Sequence, residues 1–399
     1  MPANVLVIVV DGLRASALGA YGNTSYPTPA LDRFAAESLL LNWCFAPSPN
    51  LPDIYRALWQ PNRSAQNPSL ASLPRVFADA GYATTLVTDD VSLSSYSSAS
   101  DFEEIVQVAS SLETGSTDKR AVDSSETDLA HAFSAAAEQV AESRNDKPRL
   151  LWLHSRGLYG PWDAPRDLQQ SLLDEGDPSP IESIAPPDVI TNLSDDPDVA
   201  FRYACAYAAQ VMVLDDCFEN LLNVVNANVG NEWLITLLGA RGFSLGEHGR
   251  IGGVDPRTHT EQLQVPWLIR FPNKLGRLSR VDSLTSHHDL PPTLLDCIDS
   301  ERKIDRSAIA GVSVVPLASS VRTAWRNATT SASASARSIR TSAWCLREDV
   351  AQDDGANTTS EPASTLELYV RPDDRWEAND VAKLCPEVVE ELFSALSAS

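Results

Sequence analysis

Several carboxylates stand just after apolar runs of the sequence, where they could bind a cation. Asp11 follows the β-branched run at residues 4–10, and Asp89 and Asp90 follow a second run at residues 83–87. A hard divalent cation needs several oxygen ligands, usually carboxylates. Asp11, Asp89 and Asp90 are therefore candidate metal ligands, and Asp53 is a candidate nucleophile for ester hydrolysis.

Histidine and cysteine give weaker signals. A lone histidine within a predicted strand, such as His154, is more often structural than catalytic. Glu247 and His248, in the segment LGEHG, could form a site of their own, but a loop that packs the fold is the favoured interpretation. The cysteines have neither CxxC pairs nor zinc spacing; they are Cys44, Cys205, Cys217, Cys297, Cys345 and Cys385.

Alternating apolar runs and helical patterns must position these side chains. Continuous β-branched runs predict strands buried on both faces, as in a parallel sheet. We expect an α/β fold with a doubly wound, mostly parallel sheet flanked by helices and a site at the carboxyl ends of the strands. The predicted strands are residues 4–10, 83–87, 149–154, 233–238 and 265–271, and the predicted helices are residues 13–22, 73–80, 127–143, 201–225 and 288–298.

The composition changes near residue 300. We predict that residues 1–300 form the α/β domain and residues 301–399 a small C-terminal α+β subdomain with a strand at 337–346 and a helix at 386–396. Polar or proline-rich stretches predict loops at residues 91–126, 174–197 and 352–364.

The overall charge limits the partners. The 399 residues are 43% hydrophobic and carry a net charge of -23. Such acidity opposes nonspecific binding to nucleic acid and to anionic membrane surfaces. The apolar run at the start is short for a signal peptide, and no segment has the ~18 apolar residues of a membrane span. We expect a cytoplasmic protein.

Segments in a shared order resemble the sulfatase family of the alkaline-phosphatase superfamily. They extend over nearly the whole chain: NVLVIVVDGLRASALGAYGN, TPALDRFAAES, YACAYAAQVMVLDDCFENLL, LGEHG, TEQLQVPWLIRFP, DLPPTLLD, RSIRTSAW and LELYVRPDDRWEANDVA. The resemblance implies hydrolysis of sulfate esters by a formylglycine made from Cys or Ser in a C/S-x-P-x-R motif. It also implies a calcium ion held by acidic residues of the first strand and a late strand, with Lys and His contacting the sulfate.

Most of the metal ligands that the resemblance implies are missing. The pair of aspartates at the first strand is Asp11-Gly12, and the frame fixed by LGEHG places Ala240 and Arg241 at the late Asp and His or Asn. Arginine cannot ligate calcium and would repel it. Asp11 is interpreted as a former ligand, as a cap of the next helix, or as both, since one residue can have the two roles. We hypothesise that the guanidinium of Arg241 now neutralises Asp11.

The nucleophile and anion contacts are altered as well. The motif aligns with residues 50–54, where Asn50 replaces the Cys and cannot become an aldehyde. Asp53 lies within this segment, and Arg56 could reach the site from the next helical turn. Tyr159 stands at a family histidine, whereas His154 is retained in its strand.

These losses predict a catalytically inactive sulfatase-like protein with a binding or assembly role and no cofactor. The alternative is a sulfuric- or phosphoric-ester hydrolase with a rebuilt centre, which would use calcium. In either case we expect a small-molecule or protein ligand, with neither nucleic acid nor membrane as a partner.

Overall fold

The computed structural model describes residues 3–60, 71–111, 120–142, 147–191, 196–228, 232–298, 309–319, 325–350 and 365–398. The strands of this part of the chain are β1 (Asn4–Val10), β2 (Leu39–Phe45), β3 (Ala83–Thr88), β4 (Glu104–Gln107), β5 (Arg149–Ser155), β6 (Asp188–Ile190), β7 (Trp233–Gly239), β8 (Arg250–Gly252), β9 (Gln264–Arg270), β10 (Ser279–Ser286), β11 (Ala328–Ala332), β12 (Ala336–Thr341), β13 (Trp344–Asp349) and β14 (Thr365–Val370).

The α-helices of the same residues are α1 (Pro29–Ala36), α2 (Leu51–Trp59), α3 (Leu73–Asp79), α4 (Val91–Ser94), α5 (Asp128–Ala141), α6 (Arg166–Gln170), α7 (Pro197–Ala227), α8 (Thr260–Leu263), α9 (Leu290–Ile298), α10 (Val315–Ala318) and α11 (Pro386–Ser397). None of these helices combines the length and the apolar composition needed to cross a bilayer.

The central sheet has the strand order β10-β2-β9-β7-β1-β5-β3-β4. Only β9 runs against its neighbours among these eight strands. The run at β1 is apolar throughout because its alternate side chains enter two cores, one on each face of the sheet. The predicted doubly wound, mostly parallel α/β fold is confirmed.

A second sheet of order β11-β12-β13-β14 is antiparallel. Its apolar face packs with α11 around a small core of its own that includes Ile339, Leu346 and Leu392. The predicted small C-terminal subdomain is therefore present, while its exact boundary at residue 300 stays a prediction.

Some local predictions were wrong. Residues 13–22 form two short 3-10 helices, because the side chains of Thr28 and Asp32 accept the backbone N–H groups of Gly19 and Ala20. The predicted strand at 337–346 is a hairpin of β12 and β13, and the hydroxyl of Thr341 accepts backbone N–H groups in its turn. The predicted loop at 91–126 contains α4 and β4, and the one at 174–197 contains β6. The predicted loop at 352–364 lies outside the described residues.

Candidate active site

Loops that follow neighbouring strands meet at one edge of the central sheet. In the register of β1, Val10 is paired with Ser155 of β5 on one side and with Gly239 of β7 on the other. The next residues, including Asp11 and Ala240, therefore begin their loops at the same level. The two halves of the metal site implied by the resemblance are brought together here.

Arg241 fills the space beside Asp11. Its Nε donates to Oδ1 of Asp11 and its Nη2 donates to Oδ2, each at 2.9 Å, while Nη1 donates to the carbonyl of Pro49 at 2.8 Å. The side chains of Arg241 and Asp11 are only 10% and 4% exposed. The hypothesis that the Arg241 guanidinium neutralises Asp11 is confirmed. The same side chain also holds the loop that precedes α2, through its bond to Pro49.

The guanidinium of Arg241 stays protonated and is held in one position. Burial alone would lower the pKa of this guanidinium, but the carboxylate of Asp11 raises it above its ordinary value. One face of the guanidinium lies over the ring of Tyr159, with its Cζ atom 4.2 Å from the ring centroid. Arg241 is thus held by a carboxylate, a carbonyl and an aromatic ring.

Tyr159 stands where the resemblance implies a histidine, but its phenol does not replace the imidazole of a histidine as an acid or base near neutral pH. Burial raises the pKa of its hydroxyl to about 12, and the hydroxyl donates to the carbonyl of Gly253 at 2.9 Å. At neutral pH the side chain therefore remains a neutral phenol that covers Arg241.

Gly12 leaves no room for a second carboxylate. Its φ is +77°, and a Cβ atom there would lie 2.8 Å from Cβ of Leu158. The backbone of Leu158 is held in this position because its N–H donates to the carbonyl of Asp11 at 2.8 Å. An aspartate at Gly12 would require this segment to move.

The four metal positions do not fit a calcium ion. Asp11 is the sole carboxylate among them, Gly12 and Ala240 offer no side-chain oxygen, and Arg241 is a cation bound to both oxygens of Asp11. A calcium ion takes six to eight oxygen ligands. The helix-cap interpretation of Asp11 is wrong, since no side chain caps the 3-10 helix Ala15–Ala17, and Oδ1 of Asp11 accepts the N–H of Gly12 instead.

The segment that aligns with the nucleophile motif begins α2. Asn50 is the N-cap residue, yet its side chain makes no capping hydrogen bond. The hydroxyl of Ser48 accepts the N–H of Asn50 at 3.1 Å and donates to Asp53 at 3.0 Å. Arg56, which is largely exposed, pairs with Asp53 at 2.8 Å. Arg56 therefore pairs with Asp53. The cation that reaches Asp11 is Arg241.

His154 is buried within the sheet. Its Nδ1 lies 2.6 Å from the hydroxyl of Tyr55, and its Nε2 lies 3.9 Å from Oδ2 of Asp90 and has no hydrogen-bond partner among the described residues. Burial lowers the pKa of His154 to about 4. The imidazole is therefore neutral at physiological pH.

The alternative metal ligands are not gathered into one set. Asp89 accepts the backbone N–H of Arg156 at 2.7 Å and the hydroxyl of Ser155 at 3.1 Å, and Asp90 caps α4. Burial raises the pKa of Asp89 to about 7. In the part of the chain that the structure describes, the group of acidic and imidazole side chains suited to a metal lies elsewhere, around His248.

Sequence reasoning missed several contacts near this edge. The hydrogen bond from Arg241 to the carbonyl of Pro49 could not be predicted, because every residue has such a carbonyl group. Glu247 forms an ion pair with Arg14 at 2.5 Å and accepts the N–H of Leu245. This contact agrees with a packing role for Glu247, whereas His248 joins the cluster described below. Arg257 is paired with Asp255.

Comparisons with known proteins concern the family and the fold. The family model named Sulfatase matches residues 3–300. The fold is similar to that of a protein solved in complex with its substrate D-glucosamine-2-N,6-O-disulfate, with 17% identity, a TM-score of 0.77 and coverage of 100% of this chain and 97% of that one. No curated protein matches the sequence.

Two further solved structures are similar. A phosphonate monoester hydrolase of Agrobacterium radiobacter has 16% identity and a TM-score of 0.74, with 99% of this chain and 95% of that one covered. A 2-O GAG sulfatase also has 16% identity and a TM-score of 0.74, with coverage of 100% and 92%. At these identities the likeness concerns the fold.

Proposed function

Because the chain belongs to the sulfatase family, we propose that it is a catalytically inactive member that serves in binding or assembly. The single observation that carries this proposal is the position of Arg241, whose guanidinium binds both oxygens of Asp11 and the carbonyl of Pro49. A fixed cation replaces the metal ion that would polarise a sulfate ester. The loss of the nucleophile at Asn50 points the same way.

Arg241 supplies charge without supplying catalysis. It neutralises the buried carboxylate of Asp11, so this edge of the fold is stable without a metal. Three of its five N–H groups donate to Asp11 and Pro49. Because these bonds hold the guanidinium in place and the ring of Tyr159 covers one of its faces, Arg241 is a structural cation in this proposal.

An open groove beside this edge is a place where a small molecule could bind. Its volume is about 260 Å³, slightly below the roughly 300–1,000 Å³ of common ligand pockets. Its lining includes Tyr55, Arg56 and Tyr96. Tyr55 also contacts His154. An aromatic groove beside the ion pair of Arg56 and Asp53 suits a small polar ligand.

One observation favours the alternative, a hydrolase with a rebuilt centre. The carboxyl of Asp89 is buried and its pKa is raised to about 7, as in a general acid or base. The similarity to a phosphonate monoester hydrolase gives the reaction class. The bonds of Asp89 to Ser155 and to the backbone of Arg156 account for the carboxyl in structural terms, so this function stands second.

The test is turnover of an aryl sulfate, an aryl phosphate and an aryl phosphonate by the full chain, with and without added calcium. The Asp89→Asn variant is the control for contaminating activity, because it removes the carboxyl on which the rebuilt centre would depend. The proposal expects rates for the two proteins that are equal and independent of calcium. Turnover by the wild-type chain that exceeds the variant would establish the rebuilt centre and overturn the proposal.

A further inference from the structure

Two histidines and two glutamates form a compact cluster where the segment between β7 and β9 meets the segment that follows β14. His248 and His259 stack face to face, with ring centroids 3.6 Å apart and planes inclined by 7°. Glu261 lies in the first turn of α8, and Glu377 belongs to the C-terminal segment that follows β14. One potential ligand atom from each of the four residues lies within 4.8 Å of all the others.

The hydrogen bonds of His248 call for a cation at its Nδ1. Its Nε2 lies 3.2 Å from the backbone carbonyl of Glu377 and its Nδ1 lies 2.7 Å from Oε1 of Glu261. A carbonyl is only an acceptor, so Nε2 carries a proton and donates to it. Nδ1 of the neutral ring is then an acceptor that faces a carboxylate. Either a second proton or a metal ion must lie between Nδ1 and Glu261.

The second pair also places an imidazole nitrogen against a carboxylate oxygen. Nδ1 of His259 lies 3.0 Å from Oε2 of Glu377, and both side chains are 2% exposed. The other oxygen of Glu377 contacts the hydroxyl of Thr260 and lies 3.4 Å from Nη2 of Arg340. Two imidazoles that each face a carboxylate, in a buried site, make a nitrogen and oxygen donor set.

We propose that His248, His259, Glu261 and Glu377 form a binding site for a divalent transition metal ion, of which zinc suits the donors best. Imidazole nitrogens and carboxylate oxygens are ordinary zinc ligands in a tetrahedral arrangement. Two carboxylates neutralise the charge of the ion. The carbonyl of Glu377 orients His248 through Nε2, as the outer partners of metal-bound histidines commonly do.

The positions of the four ligand atoms must adjust when the ion binds. Zinc bonds of about 2.0 Å place tetrahedral ligand atoms roughly 3.3 Å apart. The separations of 2.7 Å and 3.0 Å within the two His and Glu pairs are near that value, and the others can be as long as 4.8 Å. Because ring nitrogens bind metals in the plane of the ring, the two parallel imidazoles must tilt apart as the ion enters.

The ion would join the two parts of the molecule. His248, His259 and Glu261 come from the segment between β7 and β9, whereas Glu377 comes from the C-terminal subdomain. A zinc ion at this place would fasten the small antiparallel sheet to the α/β domain. This site is distinct from the family's calcium position at Asp11, where Arg241 stands.

The experiment uses the full chain, stripped with EDTA and then titrated with zinc. Calorimetry gives affinity and stoichiometry, and mass spectrometry gives metal content after gel filtration. The test variants are Glu377→Gln, which keeps the shape of the side chain, and His259→Ala. The controls are Asp11→Asn, which alters the family's metal position, and Glu219→Gln, which alters an exposed carboxylate.

We expect one zinc ion per wild-type chain and an affinity at least about 100-fold weaker in both test variants. Both controls should bind as the wild type does. Binding should also release a proton, measured as a heat that changes with the ionisation enthalpy of the buffer. Absence of stoichiometric binding overturns the proposal, as does binding that survives in Glu377→Gln and His259→Ala.

Discussion

The pair of Arg241 and Asp11 gives the most informative prediction about stability. Replacing Arg241 by Met keeps an unbranched apolar stem but leaves Asp11 buried with the N–H of Gly12 as its remaining partner among the described contacts. Both members of the pair are at most 10% exposed. Removing one partner of such a buried pair costs about 3–5 kcal/mol, because an uncompensated charge remains in the interior.

A double-mutant cycle separates this coupling from lost packing. Asp11→Asn removes the charge but keeps the side-chain size, and the double variant Asp11→Asn/Arg241→Met leaves no buried ion behind. We expect the double variant to be at least about 2 kcal/mol more stable than the sum of the single losses predicts. Urea unfolding followed by tryptophan fluorescence measures each free energy of unfolding.

The matched control is Arg33→Met. Arg33 pairs with Glu219 across α1 and α7, but the two side chains are 59% and 47% exposed. An exposed pair contributes under about 1 kcal/mol. The reasoning is refuted if Arg241→Met costs no more than Arg33→Met, or if the losses in the cycle simply add.

Three further predictions concern the closed site and its titration. In urea titrations, Gly12→Ala should lower the free energy of unfolding by about 1–3 kcal/mol more than Gly22→Ala does. Both glycines have positive φ, but only a Cβ atom at residue 12 would lie against Leu158. Equal losses in the two variants would contradict the steric argument. Asn50→Cys should fold but stay inactive on aryl sulfates, even with a formylglycine-generating enzyme and calcium, because the metal ligands remain absent; measurable turnover would contradict this. Burial lowers the pKa of His287 to about 4. This histidine should therefore make the free energy of unfolding fall by about 1.4 kcal/mol per pH unit as the pH drops from 6.5 toward 4. Urea unfolding at several pH values should show that the dependence of this free energy on pH is smaller by that amount in His287→Gln.

The sign of the pH effect follows from proton binding. The unfolded chain binds a proton on His287 below pH 6.5, whereas the folded chain resists it until about pH 4. Asp89 has the opposite effect, since its raised pKa means that the folded state holds the extra proton below about pH 7. Comparison of the wild type with His287→Gln isolates the histidine because Asp89 is common to both.

Sequence patterns predicted the central sheet well because its strands carry their own signal. Alternate residues of β1 enter the two cores, so the strand is apolar at every position from Val5 to Val10. The 3-10 helices after β1 could not be predicted in this way. Their form depends on Thr28 and Asp32, whose side chains accept backbone N–H groups, and such tertiary contacts leave no periodic pattern.

The two sites differ in how visible they were. The pairing of Asp11 with Arg241 was predictable because each residue follows a strand and LGEHG fixes the frame of the second. The cluster at His248 was not, since Glu377 lies 118 residues beyond His259 and no spacing rule joins two such distant segments. Only the packing of the C-terminal subdomain brings them together.

The central claim is that Arg241 stands where the family's calcium would bind, and a crystal structure grown in saturating calcium tests it most directly. We expect Arg241 to remain bidentate on Asp11, with Nη1 on the carbonyl of Pro49 and no calcium density within bonding distance of Asp11. Calcium coordinated by Asp11, with the Arg241 guanidinium displaced, would contradict the account.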